Sequence, residues 1–322
     1  MGNRFARLCL LLAAASLICA TARAQDYPNR RITIVVPNTA GGGVDTVSRL
    51  VATALQAKWG QTVVVENRTG GNGNIGAQRV ASAAPDGYTL LASAEVPLIM
   101  NQSLYSSLSY DPKAFVPVSI VSASPIFLVV HPSLPVKSVD ELVAYAKAHP
   151  GEISYGTPGV GTPTHLVGVM LETKADIKMT QVPYKGSSQA LSDFLGGHIN
   201  MLFAFESSAG PYFGSDKMRL LAVSSPQRET RFPEVPAMSE TLPGFSAQSV
   251  VALVAPPGTP PAIARKLSDA VAEAVKSPEL SKRLVQMGST PIGNTPEEAG
   301  AYLKEVGDSW GRAIRTAGIK VD

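Results

Sequence analysis

The sequence predicts an α/β protein with largely parallel sheets, and two observations carry this prediction. Apolar, β-branched runs of strand length alternate with helical patterns along almost the whole chain, and such alternation is typical of parallel sheets. The first helical pattern, Val47–Leu55, places its apolar residues at i, i+3, i+4 and i+7, the spacing of an amphipathic helix. Strands and helices therefore share one layered core.

The strands are predicted where apolar runs are bounded by turn residues. The nine candidates are Ile32–Val36, Thr62–Val65, Tyr88–Ala92, Phe127–Val130, Glu152–Tyr155, Met179–Val182, Met201–Phe203, Leu220–Val223 and Val250–Ala255. In "SVDELVAYAKAH", Ser138 is an expected N-cap and Glu141 completes a capping box. The C-terminal segment reads as three helices, "PPAIARKLSDAVAEAV", "PELSKRLVQM" and "PEEAGAYLKEVGDSWGRAIRTAG".

The first 24 residues have the pattern of a signal peptide. Arg4 and Arg7 form a basic start, "LCLLLAAASLICA" is an apolar stretch of suitable length, and Ala22–Ala24 fits an A-x-A cleavage site. The alternative is a lipoprotein modified at Cys19, but a bulky Ile18 stands where a small residue is expected. We therefore expect export and cleavage after Ala24.

Composition narrows the possible functions of the mature chain. The signal segment holds three of the 28 basic residues and none of the 25 acidic ones, so 25 of each remain. Formal neutrality argues against a nucleic-acid partner or an anionic membrane surface. Cys9 and Cys19 are the only cysteines, which excludes a disulfide or a thiolate metal site in the mature chain. Its 298 residues, 322 minus 24, suffice for two domains.

Two apolar runs that end in proline admit two interpretations. "IFLVVHP" (126–132) and "VVALVAPP" (250–257) are either two buried strands or the two crossings between domains. Under the second interpretation, residues 25–130 and 250–322 form domain 1, and residues 131–249 form an inserted domain 2. The sequence leaves both interpretations open.

Two segments combine a strand, a glycine cluster and a helix, which is a favourable arrangement for binding an anion. They are "VVPNTAGGGVDTVSRL" (35–50) and "ISYGTPGVGTPTHLVGVML" (153–171), where Thr162 is an expected N-cap and Pro163 the first helical residue. Ligands of open α/β sheets lie beyond the carboxyl ends of the strands. If the two segments face one another, two helix N-termini offer unpaired N–H groups to the carboxylates of one small molecule.

Two other strand ends carry polar side chains, each of which admits two interpretations: contact with a ligand, or an ordinary role in a helix cap or turn. Ser93 ends "YTLLAS", Glu95 and Asn101 follow it, and Ser187 and Ser188 follow "MTQVPY". His165, in the first turn after Thr162, is a further candidate contact, and a packing or capping role is its alternative.

Catalytic interpretations find less support. A dinucleotide fingerprint beginning at Gly41 and Gly43 would have Glu66 as the ribose-binding acid, but Thr46 occupies the position of the third glycine. The chain contains no G-x-S-x-G pentapeptide. Its four histidines, His131, His149, His165 and His198, lack metal-ligand spacing. Asp45 has the ordinary role of an acid in a first helical turn. We therefore expect no catalytic residues, cofactor or metal.

Five ordered blocks resemble the Bug family of periplasmic solute receptors, which are associated with tripartite tricarboxylate transporters. They are "YPNRRITIVVPNTAGGGVDTVSR", "VVVENRTGGNGNIGAQRVASAAPDGYTLL", "NQSLYSSLSYDP", "VPYKGSSQALSDFLGGHINMLF" and "LVAPPGTPPAIARKLSDAV". The resemblance spans nearly the whole mature chain. It implies a type II periplasmic-binding-protein fold, in which two mixed-sheet α/β domains joined by hinge strands close on a solute.

The resemblance also implies a set of solute-binding residues. In that family, the first glycine loop and the glycine-rich loop before "HL" hold a ligand carboxylate, partly through bridging waters. The expected ligand-binding residues here are Asn38, Thr39, Ala40, Gly41, Gly42, Asp45, Ser93, Glu95, Thr157, Gly161, Thr162, His165 and Glu206. The chain departs from the family at Asn38, where Phe is usual, and at Ala40, where Pro is frequent. Glu206 occupies a variable cleft position, where an acid could repel a second carboxylate or accept from an amine.

The sequence thus predicts a non-enzymatic, monomeric periplasmic protein that binds a small organic carboxylate and delivers it to the membrane subunits of a tripartite transporter. An exported enzyme acting on a carboxylated substrate and a sensor-linked binding module remain the alternatives. Neither the solute nor the effects of Asn38 and Glu206 follow from the sequence.

Overall fold

The computed structural model describes residues 27–321. The predicted signal peptide and its cleavage site lie outside these residues. Within residues 27–321, no helix is both long and apolar enough to cross a membrane.

The strands form one mixed sheet, and all nine predicted strands are present, the first with the predicted bounds and the other eight with shifted bounds. In chain order they are β1 (Ile32–Val36), β2 (Val63–Asn67), β3 (Thr89–Ser93), β4 (Val116–Val130), β5 (Ser154–Thr157), β6 (Thr180–Pro183), β7 (Met201–Phe205), β8 (Arg219–Val223), β9 (Gln248–Ala255) and β10 (Thr290–Pro291). The sequence did not indicate β10 or the first eleven residues of β4, which begins at Val116 and not at Phe127.

The strand order is β2-β1-β3-β9-β4-β7-β5-β6, with β8 and β10 also pairing with β4. Parallel pairs occur on both flanks, where β1 joins β2 and β3, and β5 joins β6 and β7. Every pair that includes β4 or β9 is antiparallel. The expectation of largely parallel sheets was therefore right for the flanks and wrong for the centre, because a buried apolar run does not reveal its direction.

β4 divides the sheet into two parts because its neighbours change along its length. Residues 116–125 pair with β9, whereas residues 126–130 pair with β7 and β8. We call β1, β2, β3, β9, β10 and residues 116–125 the first part, and β5–β8 with residues 126–130 the second part. The change of partners falls at Pro125 and Ile126, the beginning of the first predicted crossing, and the chain returns to the first part at Gln248.

Helices cover the faces and ends of the sheet. They are α1 (Gly43–Trp59), α2 (Asn74–Ala81), α3 (Asn101–Leu104), α4 (Val139–Ala148), α5 (Pro163–Ala175), α6 (Ser187–Leu195), α7 (Glu206–Ala209), α8 (Met238–Thr241), α9 (Pro261–Lys276), α10 (Pro278–Gln286) and α11 (Pro296–Thr316). A π-helical turn, Val96–Met100, precedes α3. Ser138 caps α4 as predicted, although Glu141 accepts from the amide of Lys137 and not from that of Ser138.

The hydrophobic core is continuous through both parts of the sheet. One cluster of buried side chains includes Leu91 of the first part, Tyr155 of the second part, Leu166 of α5 and Trp310 of α11. Trp310 is fully buried, and α11 packs against β4, the π-helical turn and α5. Complete burial of a large apolar side chain contributes about 1.5–3 kcal/mol. Helix α11 therefore joins the two parts on one side of the sheet.

Candidate ligand-binding site

The first glycine loop joins β1 to α1 and is shaped by one buried carboxylate. Gly41 has a left-handed φ of 81°, which a glycine adopts without strain. Its amide donates to Asp45 Oδ2 over 2.8 Å, and the same carboxylate accepts from Arg49 Nε and Asn67 Nδ2, both at 2.9 Å. Burial alone would raise the pKa of Asp45, but the bonds from Arg49, Gly41 and Asn67 outweigh it and lower this pKa.

The second glycine loop joins β5 to α5 and repeats this geometry with a different side chain. Gly161 has a φ of 77°, and its amide donates to His165 Nδ1 over 3.0 Å. As with Asp45, the acceptor is the third residue of the helix and the glycine lies two residues before the helix begins. Nδ1 must be unprotonated to accept this bond, and burial lowers the pKa of His165 accordingly.

Thr162 occupies the predicted N-cap position, with Pro163 first in the helix, but its hydroxyl does not cap α5. The hydroxyl donates instead to Gly159 O over 2.7 Å, a bond within the loop. Helix α1 has no side-chain cap either. In both helices, the amides of the first turn therefore have neither an intrahelical partner nor a side-chain cap. In α1 these are the amides of residues 43–45, and in α5, where proline has no N–H, those of Thr164 and His165.

A cavity of about 460 Å³ lies at the N-terminus of α1, between the two parts of the sheet. We call it the solute cavity; its lining residues are Gly41, Gly43, Val44, Thr46, Val47, Ser124, Phe205, Ser207, Ser249, Val250, Val251, Met287 and Ser289. Hydroxyls supply its polar side-chain groups, since none of these residues is ionisable. The hydroxyls of Ser124 and Ser289 lie 2.7 Å apart, and the Ser249 hydroxyl oxygen lies 3.0 Å from Glu95 Oε2.

Two smaller cavities continue the same edge of the sheet. One, of about 20 Å³, is bordered by Pro158, Thr164, Ser187 and Ser208 and shares Phe205 with the solute cavity. The Thr164 hydroxyl there is buried without a hydrogen-bond partner. The other, of about 330 Å³, includes residues from the loops after β1, β2 and β3. All three cavities thus border the carboxyl ends of parallel strands, where ligands of open sheets bind.

The predicted site residues occupy three kinds of position. Gly41 lines the solute cavity, whereas Asn38 and Thr39 line the cavity of about 330 Å³. Ala40, Gly42, Gly161 and Thr162 are accessible loop residues, while Asp45, Ser93, Glu95, Thr157 and His165 are buried behind the loops or the cavity walls. Thr157 accepts from Gln181 Nε2 over 2.8 Å. Direct contact of each residue with a solute stays a prediction.

Glu206 forms an ion pair with Arg231 at the edge of the cleft between the two parts of the sheet. Arg231 donates to both of its carboxylate oxygens, at 2.8 Å through Nη1 and at 2.5 Å through Nη2. Arg231 Nη1 also donates to Val285 O of α10, over 3.0 Å. The structure therefore places a guanidinium beside Glu206, for which the sequence suggested either repulsion of a second carboxylate or acceptance from an amine, and the charge of the acid is compensated.

Several residues of the solute cavity were not foreseen from the sequence. Ser124, Ser249 and Ser289 are far apart in the chain and meet only through the pairing of β4 with β9 and β10. Phe205 ends β7 and Ser207 comes two residues later, and the end of this apolar run before "ESSA" was a signal for them. No comparable local pattern marks the three serines.

Another cavity, of about 570 Å³, lies in a groove beside α11 and has a different chemistry. Its edge carries Lys113, Lys304, Asp308 and Arg315, over a floor that includes Phe115. The groove contains no residue of either glycine loop. It is therefore a separate surface, and its lysine and arginine side chains make it the alternative binding site for an anionic ligand.

Comparison with known proteins agrees with this architecture. Residues 47–319 match the Tripartite tricarboxylate transporter family receptor, TctC. Protein BugT of Bordetella pertussis is 36% identical over 311 residues, which cover 96% of this chain and 95% of BugT.

Two solved structures with bound ligands are also similar. Rpa4515 of R. palustris, described with adipate, has a TM-score of 0.74 and 33% identity, covering 92% of this chain and 100% of that one. MatC of Rhodopseudomonas palustris, with bound malate, has a TM-score of 0.69 and 29% identity, covering 89% and 100%. The fold, the order of the sequence blocks and the extent of the match lead to one assignment: the chain belongs to the TctC family of tripartite tricarboxylate transporter receptors, which are periplasmic solute-binding proteins.

Proposed function

We propose that this receptor captures a small organic carboxylate in the solute cavity. The observation that carries the proposal is the combination of an N-terminal helix turn with a hydroxyl-rich lining that has no charged side chain. Backbone N–H groups and the positive end of the helix dipole favour an anion without requiring a cation. A volume of about 460 Å³ lies within the usual range of small-molecule sites.

Two carboxylate-bound relatives support a dicarboxylate as the solute. The Rpa4515 structure is described with adipate and the MatC structure with malate, and both ligands carry two carboxylates. One carboxylate would meet the first turn of α1. The other would reach the hydroxyls of Ser207 and Ser208 and the first turns of α5 and α6, beyond Phe205.

We further propose that the two parts of the sheet are domains that close on the solute and present it to membrane subunits of a tripartite transporter. The hinge would lie where β4 changes partners, at Pro125 and Ile126, and where the chain returns through Ala247. Ser224 joins these two segments, since its amide donates to Ile126 O and its O accepts from the amide of Ala247, both at 2.9 Å. The family match supports the transporter partner.

A thermal-shift screen of purified protein against adipate, malate, tricarboxylates and aromatic acids tests the proposal. At about 100 times its Kd, a bound solute adds about 2.7 kcal/mol of stability. The matched control for adipate is 1,6-hexanediol, which has the same carbon chain but no carboxylate. We expect a carboxylate to raise Tm and its diol to leave Tm unchanged. Equal shifts with acid and diol, or no shift with any acid, would contradict carboxylate capture.

A further inference from the structure

A buried carboxyl lies directly behind the wall of the solute cavity. Glu95 follows β3, is fully buried and does not itself line the cavity. Its Oε2 lies 3.0 Å from Ser249 Oγ and 3.2 Å from the amide nitrogen of Val250, whereas Oε1 has no hydrogen-bond partner. Ser249 does line the cavity. A single hydroxyl therefore connects Glu95 to the space that a solute would fill.

No cation compensates Glu95. None of the ion pairs found among residues 27–321 includes it. From β9 it faces the Ser249 hydroxyl and the Val250 amide, and from α11 it faces Tyr302, whose pKa is raised by burial and by the charges of Glu95 and Glu305. Burial likewise raises the pKa of Glu95. A carboxyl buried without a cation is stabilised in its neutral form.

The position of the Glu95 proton decides what Ser249 offers to the cavity. The Val250 N–H can only donate, so Oε2 must accept from it. In the neutral acid, a proton on Oε2 donates to Ser249 Oγ, since Oε1 has no acceptor in reach. The Ser249 proton is then free to point into the cavity. In the ionised acid, the Ser249 hydroxyl donates to Oε2 and turns only its lone pairs towards the cavity.

We propose that neutral Glu95 sets Ser249 as a hydrogen-bond donor to a carboxylate solute, and that ionisation of Glu95 turns the same hydroxyl into an acceptor. Glu95 is a positioning residue, because it acts through Ser249 without touching the solute. The inference rests on the proposed function for its effect on binding, whereas the neutral state of Glu95 is a property of the folded chain alone. Solute capture thus becomes linked to one buried proton.

The first test follows Glu95 through folding and needs no solute. Between the ordinary glutamate pKa of 4.5 and the higher pKa of folded Glu95, the folded state retains a proton that the unfolded chain has lost. The contribution of Glu95 to the unfolding free energy must therefore fall as pH rises through this window. We expect the difference in unfolding free energy between wild type and Glu95→Gln to change with pH across it. A constant difference from about pH 4 to pH 9 would overturn the proposal.

The second test measures binding of adipate by calorimetry across the same pH range. We expect the wild-type Kd to rise about tenfold or more as Glu95 ionises, the loss of one hydrogen bond to a charged group. Glu95→Gln has no charge to gain, and its amide oxygen can still accept from Val250. Because that oxygen lies at the Oε2 position and can only accept from Ser249, the Kd of Glu95→Gln is expected to be independent of pH and close to the wild-type value at high pH, where Ser249 also donates to residue 95.

Two serine variants distinguish an effect through the Ser249 hydroxyl from a direct electrostatic effect of the Glu95 charge on the solute. Ser249→Ala is expected to bind adipate weakly at every pH and to lose the pH dependence. Ser207→Ala removes a hydroxyl from the same cavity without touching Glu95, so its Kd is expected to keep the wild-type pH dependence. Retention of the full pH dependence in Ser249→Ala would overturn the role of Ser249. If adipate binds no form at any pH, the proposed function fails for this solute, while the folding test still decides the state of Glu95.

Discussion

At the scale of single residues, the two glycine loops use one backbone geometry with two acceptors that respond differently to pH. Asp45 remains ionised because Arg49, Asn67 and the Gly41 amide all stabilise its charge. His165 holds Gly161 only while Nδ1 is unprotonated. Acid therefore begins to reduce the stabilising contribution of His165 near the ordinary histidine pKa of 6.5, and that of Asp45 near the ordinary aspartate pKa of 3.8.

This difference predicts a histidine-dependent loss of stability in acid. The lowered pKa of folded His165 means that, below the ordinary histidine value of 6.5, the unfolded chain binds a proton that the folded chain does not. The stabilisation is complete above that value and decreases as pH falls to the folded pKa, at up to about 1.4 kcal/mol per pH unit. Denaturant titrations between about pH 4.5 and pH 8 measure it.

The variant His165→Gln is expected to remove this component, because glutamine does not titrate. The control is Thr162→Ala, which changes the same loop, leaves His165 in place and is expected to retain the wild-type slope. If both variants have the wild-type slope, the buried acceptor role of His165 is wrong.

At the scale of elements, helix starts differ in how their amides are used. At α11, Thr295 Oγ1 accepts from the Glu298 amide and Glu298 accepts from the Thr295 amide, a complete capping box. At α1 and α5, no side-chain cap bond occupies the first turn. Helix α11 thus has a closed N-terminus, while α1 and α5 at the candidate site keep theirs open.

Alanine substitutions at two threonines distinguish these helix starts. Thr295→Ala is expected to lower the unfolding free energy by about 1 kcal/mol, since it removes a cap. Thr162→Ala, at the same position of α5, is expected to cost less, because its hydroxyl bonds within the loop. Urea denaturation compares the two variants. A larger loss at Thr162 would show that its hydroxyl stabilises α5 in solution.

The elements also show what sequence patterns can and cannot predict. Strands such as β1 were predicted because a short apolar run ends at a glycine cluster. The beginning of β4 was missed because Pro117 and buried serines interrupt its apolar run. Ser119 donates to Asn294 O over 2.8 Å, and the Ile120 amide donates to Asn294 Oδ1 over 2.7 Å, across about half of the chain. Because the polar groups of this strand are hydrogen-bonded by a residue far away in the sequence, no local sequence pattern indicates the strand.

The site was predictable to a similar degree. The glycine loops were identifiable because glycine clusters and helix caps are local signals. The ion pair of Glu206 with Arg231 and the position of Glu95 behind Ser249 could not be predicted from the sequence, because each joins residues that only the tertiary fold brings together.

At the scale of the whole molecule, side chains connect the two sides of the cleft at positions where the proposed domain closure would occur. Arg231 links Glu206 of the second part to Val285 O of α10, and Thr290 of β10 donates to Glu229 over 3.1 Å. Helix α11 packs against α5 on its own side of the sheet. These contacts border the cleft, and the continuous strand β4 passes between the parts.

We therefore expect a saturating carboxylate to lower the radius of gyration by hinge closure. Small-angle scattering with and without the acid that stabilises most strongly measures this change, and the corresponding neutral diol is the control. Scattering curves that superimpose would remove the hinge proposal but would leave solute binding intact.

The central claim is that backbone amides at the N-terminus of α1, and not cationic side chains, hold the carboxylate. Amide chemical shifts of ¹⁵N-labelled protein during titration with the strongest carboxylate test it most directly. The account predicts the largest saturable shifts at Gly43, Val44 and Ser249, and none in the α11 groove at Lys113, Lys304 or Arg315. Saturable shifts confined to the groove, with the α1 amides unchanged, would contradict it.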